Sequence, residues 1–366
     1  LELNKQNLWP KPVLPKELYS WGTNSYGQLG LNDTANRSSP IQIGALTTWS
    51  QIAGGSTFTV ATKTDGTLWS WGANSAGQLG LGDVPSRSSP VQVGALTAWS
   101  QVAAGTSSTL AIKTDGTFWS WGGNSQGQLG LNDTANRSSP VQIGALTTWS
   151  QVAAGGVHCL AIKTDGTLWS WGYNGFGELG LGDVVYRSSP VQVGALTTWA
   201  KIAGGNSLSL AIKTNGTLWS WGRGNSGRTG LGDTYNRSSP VQIGALTTWS
   251  QVAAGNYFGV AAKTDGTMWS WGGNGNGQLG LNDAAGRSSP VQIGALTAWS
   301  KIAAGAYHGI AIKTDGTLWS WGGNSNGKLG LNDVVNRSSP VQVGAVTTWS
   351  RLPKMPMSNS SLAIKS

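Results

Sequence analysis

One string, Leu168–Gly180 (LWSWGYNGFGELG), returns with small changes every 50 residues along the chain. Its other copies begin at Leu18, Leu68, Phe118, Leu218, Met268 and Leu318, so seven copies of one unit fill 366 residues. A repeat of about 20–50 residues cannot bury its apolar face alone; it stacks on its neighbours as a solenoid, propeller or array. One closed object is therefore expected, not several independent domains.

Each unit carries four strand signals, and the unit at 95–144 serves as the example. Trp99–Gly105 (WSQVAAG) alternates and then turns small. Leu110–Thr114 (LAIKT) is a second strand and Thr117–Gly122 (TFWSWG) a third. Between them Asp115 and Gly116 are the signal of a two-residue I′ hairpin, and Asn215 with Gly216 meets the same demand in its copy. A Gly-rich stretch leads to Pro140–Gly144 (PVQIG), whose leading proline marks an edge strand. The order from the axis outward is then WSQVAAG, LAIKT, TFWSWG, PVQIG. Pairing across Asp115 and Gly116 sets Thr114 opposite Thr117, which puts Leu110, Ile112, Trp119 and Trp121 on one bulky face. Ala111, Lys113, Phe118 and Ser120 share the smaller face. Packing bulky on small around an axis gives a β-propeller.

The two ends of the chain complete the count. The chain opens with the third and fourth strands (Leu18–Gly22, Pro40–Gly44) and closes with the first and second (from Trp349, then Leu362–Ser366). The expected fold is all-β: a seven-bladed propeller of four-stranded blades, closed by a two-plus-two strand clasp of the termini, which removes open edges. Counting by copies, the clasp blade is blade one. Its final segment departs from the pattern, with Leu352, Pro353, Lys354 and Met355 where Val-Ala-Ala-Gly stands elsewhere, so a distorted inner strand is expected. Residues 1–17 match nothing in the repeat; Pro10, Pro12 and Pro15 make them an extended arm, with Trp9 as a candidate anchor.

Only 11% of residues are charged and 55 are glycine, which suits short strands joined by tight turns. No apolar run reaches 18 residues, so no transmembrane helix is expected. Leu1 leaves a processed start open. The net charge of +9 comes from scattered positions, among them Lys5, Lys201, Arg223, Arg228, Lys301 and Lys328, which argues against a nucleic-acid partner. Cys159 is the single cysteine, so no disulfide forms within the chain.

The motif WG-N--G-LG, then R-SP, then AAG----LA, resembles the regulator-of-chromosome-condensation repeat across residues 18–366. The resemblance implies a seven-bladed propeller. Members of that family differ widely: one binds chromatin and drives nucleotide exchange on a small GTPase, a plant member senses ultraviolet light, and bacterial members inhibit β-lactamases. The near-identical copies here are most similar to repeat genes of environmental bacteria and their viruses. The photoreceptor's G-W-R-H-T string has no match, since the corresponding segments read GGVHC (155–159) and GAYHG (305–309). The chromatin type's basic tail is also missing, since residues 1–17 hold three Lys and two Glu. Fold does not settle function.

Differences among the copies concentrate in three places: after AAG or AGG (56–59, 106–109, 156–159, 206–209, 256–259, 306–309), inside WG-N--G, and just before the Arg (34–36, 184–186, 234–236). In a four-strand meander the first-to-second and third-to-fourth connections leave the same face, so all three lie together. The opposite face, with its Lys-Thr-Asp-Gly-Thr turns and Gly-Ala-Leu-Thr-Thr-Trp links, is nearly uniform. The third-to-fourth loop spans roughly 17 residues, beyond the usual ~12–15 for an unstructured connection. Varied loops on a rigid scaffold are the usual place for binding. Blades four to seven carry Tyr173, Phe176, Tyr186, Tyr235, Tyr257, Phe258, Tyr307 and His308, with Arg223 and Arg228 among them. Tyr and Arg are enriched at binding hot spots, so this sector is the candidate partner site.

Other features have plainer readings. Twenty of the 21 tryptophans sit at repeated positions and read as core. The Asp33/Arg37 pair and its six counterparts read as local ion pairs that hold the long loop. His158 and His308 are three blades apart and cannot share a metal, and His158 and Cys159, adjacent in a strand, point to opposite faces. The N-x-S/T strings at Asn36, Asn136, Asn236 and Asn336 are by-products of the repeat. No acid/base constellation repeats, so no catalysis, cofactor or metal is expected. The expected role is a non-catalytic binding or structural scaffold with a protein partner on the diversified face. A second reading is a virion or cell-surface adhesin for a glycan or receptor, which would place the chain outside the cell or on a particle. A third is a guanine-nucleotide exchange factor for a small GTPase. A shallow aromatic-floored pocket recurring in several blades would favour the glycan; one continuous patch across blades four to seven would favour the protein.

Overall fold

The computed structural model describes residues 15–295, 297–353 and 359–366. Trp9 and residues 1–14 of the expected arm, and Lys354 and Met355, lie outside them. The described residues form seven four-stranded antiparallel sheets. In blade three the strands run Trp99–Ala104, Ser108–Lys113, Phe118–Gly122 and Arg137–Gln142, paired in that order. Glycines and small residues of the inner strands' ends, from Gly55 through Gly105, Gly155, Gly205 and Gly255 to Gly305, line one depression drawn from successive blades, so the small-ended strand is the axial one. A Cβ on Gly205 would lie 2.4 Å from the Gly255 carbonyl oxygen, so crowding at the axis demands glycine there.

Closure follows the expected clasp. Glu17–Gly22 pairs with Arg37–Gln42 on one side and with Ser360–Lys365 on the other, and Trp349–Arg351 completes the blade. That inner strand has three residues where the other blades have six. Lys16 also touches the next blade, where its amide donates to the Thr47 carbonyl at 2.7 Å.

Three expectations are corrected. The Asp-Gly turn is a three-residue loop, not a I′ hairpin. Gly116 N–H donates to the Lys113 carbonyl at 3.0 Å, Lys113 N–H donates to Thr117 at 3.1 Å, and of the two only Gly116 has positive φ (+77°). A type I turn closed by a left-handed glycine has this pattern. The register therefore slips by one, and Leu110 faces Ser120, Ala111 faces Trp119 and Ile112 faces Phe118. Leu110, Ile112 and Phe118 share one face; Ala111, Lys113, Trp119 and Trp121 share the other. The packing still interlocks, because Leu110, Ile112 and Phe118 of blade three meet Trp149, Val152, Ala161 and Trp171 of blade four. Second, the outer strand starts at the arginine and holds Pro140 at a bulge between the Arg137 and Val141 pairs, where no ladder donor is required. The connecting loop is correspondingly shorter, 123–136. Third, the second strand begins at Ser108, so part of each variable segment is strand.

Tryptophan builds the seams. In all seven blades the third strand's second tryptophan is wholly buried, and its indole N–H crosses to the preceding blade. Trp121 donates to the Gln78 carbonyl at 3.0 Å, Trp271 to Arg228 at 2.9 Å and Trp21 to Lys328 at 2.9 Å. Burying one such side chain removes ~150–250 Å² from water, worth roughly 4–6 kcal/mol. The Trp119 type is only partly buried, and Lys113 lies 4.4 Å from its ring centre. The Asp/Arg pairs are local in all seven copies, as with Asp183 and Arg187 at 2.6 Å.

Candidate functional site

The two kinds of variable loop do meet at one end of the axis. Backbone amides that follow the third strand donate to the first-to-second loop of the same blade: Tyr173 to Val157 at 3.0 Å, Arg223 to Ser207 at 2.9 Å, Gly273 to Tyr257 at 2.8 Å. The loop interior is held by the asparagine of WG-N--G. Asn174 takes a hydrogen bond from the Leu179 amide at 2.9 Å and donates to the Asp183 side chain at 3.0 Å, so Asp183 is fixed between Asn174 and Arg187. The Val185 amide, which donates to the Asp183 carboxyl at 2.9 Å, together with the Arg187 pair and Asn174, holds that carboxyl below its ordinary range. Outside this frame the side chains are free to differ.

The sector expected from the sequence divides in two. Tyr173, Phe176, Tyr257 and Tyr307 are half-buried, Tyr186 is 45% exposed and Tyr235 is 71% exposed. Phe258, His308 and Arg228 are buried. Phe258 and His308 open the second strand, and a strand residue pointing into the seam cannot meet a partner. His308 Nε2 instead meets Ser361 Oγ of blade one at 2.9 Å, as His158 meets Ser209 of blade five. Cys159 points the other way and donates to the Gln128 carbonyl of blade three at 3.2 Å.

Most of the remaining residues fall into two contact chains, while Tyr235 stands apart from them, 6.0 Å from Arg237 of its own loop. Tyr186 packs on Tyr173 (ring centres 4.7 Å apart), Tyr173 on Phe176 (6.1 Å), and the Arg223 guanidinium lies 4.5 Å from the Phe176 ring. Across the next seam Arg228 lies 4.7 Å from the Tyr257 ring, and Tyr257 stacks on Tyr307 at 5.4 Å and 26°. Lys328 is 6.0 Å from Tyr307 and donates to Asn359 of the clasp blade at 3.1 Å. Burial, and the charge of Arg223, lower the Arg228 pKa to about 10. Cation–aromatic contacts of this kind contribute about 0.5–2 kcal/mol each.

Glu178 and Lys328, absent from the sector expected from the sequence, belong to the same ring as Arg228. Gln28, Gln78, Gln128 and Gln278 occupy one repeat position, and the copies Glu178, Arg228 and Lys328 break the pattern. Glu178 is buried, and burial raises its carboxyl pKa. Reading the copies column by column would have found the position.

Grooves also recur at the outer seams. Leu31, Ile43 and Trp49 line one, Leu281, Ile293 and Trp299 another, and Leu331, Val343 and Trp349 a third. The tryptophans common to them are at most 4% exposed, so they present no open ring face for a sugar.

Architecture and loop placement define a repeat-built β-propeller whose individuality lies at one end of its axis. The chain belongs to the family described as Regulator of chromosome condensation (RCC1) repeat, which matches residues 17–62, 65–112, 115–162, 165–212, 215–262, 265–312 and 315–351. A second profile of the same description matches 49–78, 99–128, 149–178, 199–228, 249–278 and 299–328. No curated protein matches the chain. Among solved structures, yeast RCC1 (Prp20) bound to Kap60 is similar at TM-score 0.85 and 20% identity, over 96% of this chain and 89% of that one. Prp20p from Saccharomyces cerevisiae, described with its binding properties to Gsp1p and histones, gives 0.85 and 21% over 96% and 92%. Human WBSCR16 gives 0.85 and 22% over 96% and 99%. At these identities the likeness is one of fold.

Proposed function

We propose that this propeller is a non-catalytic scaffold that docks a protein on its diversified face, across blades four to seven. The carrying observation is a pair of neighbouring contact chains on that face, Tyr186 through Tyr173 and Phe176 to Arg223, and Arg228 through Tyr257 and Tyr307 to Lys328, with the two arginines of blade five close enough for their charges to act on one another. Rigid aromatic anchors beside arginines are the usual composition of a protein-binding hot spot. Relatives of the same fold support a protein partner: one is described bound to Kap60, another in terms of binding to Gsp1p and histones. A karyopherin or a small GTPase is thus a fair first candidate, and exchange activity is the alternative to scaffolding.

The test is capture and identification of partners by the wild type, by a sector variant (Tyr173, Tyr186 and Tyr307 to Ala) and by a base-face variant (Leu146 and Leu196 to Ala). A protein retained by wild type and base variant, and bound at least tenfold more weakly by the sector variant, is the expected result. Equal binding by the sector variant would remove this face from the reading.

A further inference from the structure

Blade five breaks the repeat's own rules in one small volume. Gly224 stands where six other copies carry the loop asparagine, Arg228 where the common residue is Gln, and Thr229 where the others have Leu. The Gln has a defined task in its own blades: its Oε1 accepts the amide two residues earlier, as Gln78 does from Ala76 at 2.9 Å and Gln278 from Asn276 at 2.8 Å. Arginine has no acceptor to offer. Here Ser226 takes a left-handed φ of +61°, uncommon for a serine, and the segment Asn225–Gly227 tightens into a 3-10 turn. Thr229 Oγ1 is buried without a hydrogen-bond partner.

Arg228 itself is only half satisfied. Nε donates to the Asn225 carbonyl at 3.1 Å and Nη1 to the Asn256 carbonyl at 2.8 Å, while Nη2 is buried with no partner. No carboxylate pairs with it among the described residues. All seven loop aspartates on this face are held by their own arginines. Glu178, the acid nearest Arg223, is buried beside Phe176, whose amide it accepts at 2.9 Å. Arg223, Arg228 and Lys328 form a cationic arc in which none has an ion-pair partner among the described residues, and the buried Glu178 is the one acid whose carboxyl feels the Arg223 charge. A buried guanidinium lacking its anion is destabilising, and strain and orphaned groups of this kind gather where a ligand completes the site. The fold does not need the arginine side chain: Trp271 uses only the Arg228 backbone carbonyl, as its counterparts use the carbonyl of Gln or Glu.

We infer that the blade five–six seam recognises an acidic segment of a protein partner, with a partner carboxylate completing Arg228 and Arg223 once the Tyr257 ring turns aside from the guanidinium. This rests on the docking reading and gives its partner a chemistry: a run of Asp or Glu that fits the arc from Arg223 to Lys328 and aromatic residues stacking at Tyr307.

The test uses the full chain and three labelled peptides of one length, Glu-rich, its Gln counterpart and its Lys counterpart, by fluorescence anisotropy at low and at 0.3 M salt. The Glu peptide is expected to bind at least tenfold more tightly than the Gln peptide, with affinity falling as salt rises. Arg228→Gln restores the repeat's own residue, so its melting temperature should be equal or higher while Glu-peptide affinity falls at least tenfold. Gln78→Glu, at the same repeat position in blade two and outside the arc, serves as the charge control and should leave that affinity within threefold. Equal binding of Glu and Gln peptides, or unchanged Glu-peptide affinity in a folded Arg228→Gln, would overturn the inference. If that happens while the tyrosine variant still loses its partner, the acidic chemistry is wrong and the docking face stands; if the tyrosine variant also keeps its partner, both fail.

Discussion

At positions 158 and 308 an imidazole fills a slot that Phe58 and Phe258 fill in other blades, each opposite the glycine that ends the third strand. Ser209 Oγ spends its one proton on the Glu178 carbonyl at 2.7 Å, so His158 Nε2–H must donate to Ser209. His308 and Ser361 repeat the arrangement at Lys328. Both rings are thus neutral, with Nδ1 unpartnered, and burial lowers their pKa values to about 4 for His158 and about 3 for His308. The sign follows: the native state binds fewer protons than the unfolded chain, whose histidines titrate near 6.5. Their stabilisation is complete above that pH and is lost as pH falls toward 4 and 3. Urea unfolding of the wild type at pH 7 and 4.5 should differ by about 2 kcal/mol per histidine beyond a His158→Phe, His308→Phe double variant. Equal pH sensitivity would show that the rings are hydrated. The three-blade spacing already excludes a shared metal at these histidines, but the pattern of alternation starts the second strand of blade seven at Ile310, two residues after its true start, and so puts His308 in the binding sector. The legible clue was serine, which faces histidine in both seams where Thr109 or Gly309 faces phenylalanine.

Each base-face turn is built by a glycine and a capping aspartate, with Asn215 in that role in blade five. Asp115 accepts the Thr117 amide at 2.9 Å and its hydroxyl at 2.7 Å, which holds the carboxyl below its ordinary range. Asp-Gly suits more than one hairpin type, and the following threonine is what distinguishes this one. A one-residue slip then moves every side chain to the other face. The strands themselves were legible from alternation; their register was not, because it depends on which amide closes the loop. Two glycines separate conformation from crowding. Gly144 (φ +58°) has open space where a Cβ would go, whereas at Gly116 (φ +77°) the Cβ would lie 2.0 Å from the Thr147 carbonyl oxygen of the link to blade four. Gly144→Ala should cost about 1 kcal/mol. Gly116→Ala should cost at least about 3 kcal/mol, since backbone must also shift. Thermal melts of the two variants side by side measure the difference, and equal shifts would mean that the link yields freely.

The ring is as strong as its clasp. Blade one joins strands from both ends of the chain, and its inner strand is the shortest, Trp349–Arg351. Arg351 adds a tie of its own, donating to the Ser50 carbonyl of blade two at 3.0 Å. Removing residues 360–366 takes away Leu362 and Ile364, which lie in one core cluster with Trp49 and Trp71 of blade two, and bares two strand edges. Calorimetry and gel filtration should then show a broadened transition and self-association in place of one sharp melt. A sharp, monomeric melt at the original temperature would mean that six blades suffice.

The period, the strand types, the blade count and the two-plus-two closure follow from local sequence, because a repeated unit must bury the same apolar positions against its neighbour in every copy. The location of the variable loops follows as well, from meander topology alone. Contacts between blades had to be seen in three dimensions. His158 meets Ser209 across a seam, Trp271 reaches the Arg228 carbonyl, and Tyr257 and Tyr307 come from successive blades. Exposure was decided there too: Tyr235 and Phe258 look alike as aromatic letters in variable segments, yet one stands in solvent and the other lies in the core. The physical reason is that burial belongs to the packed seam, and a seam is made by two units that the sequence places 50 residues apart.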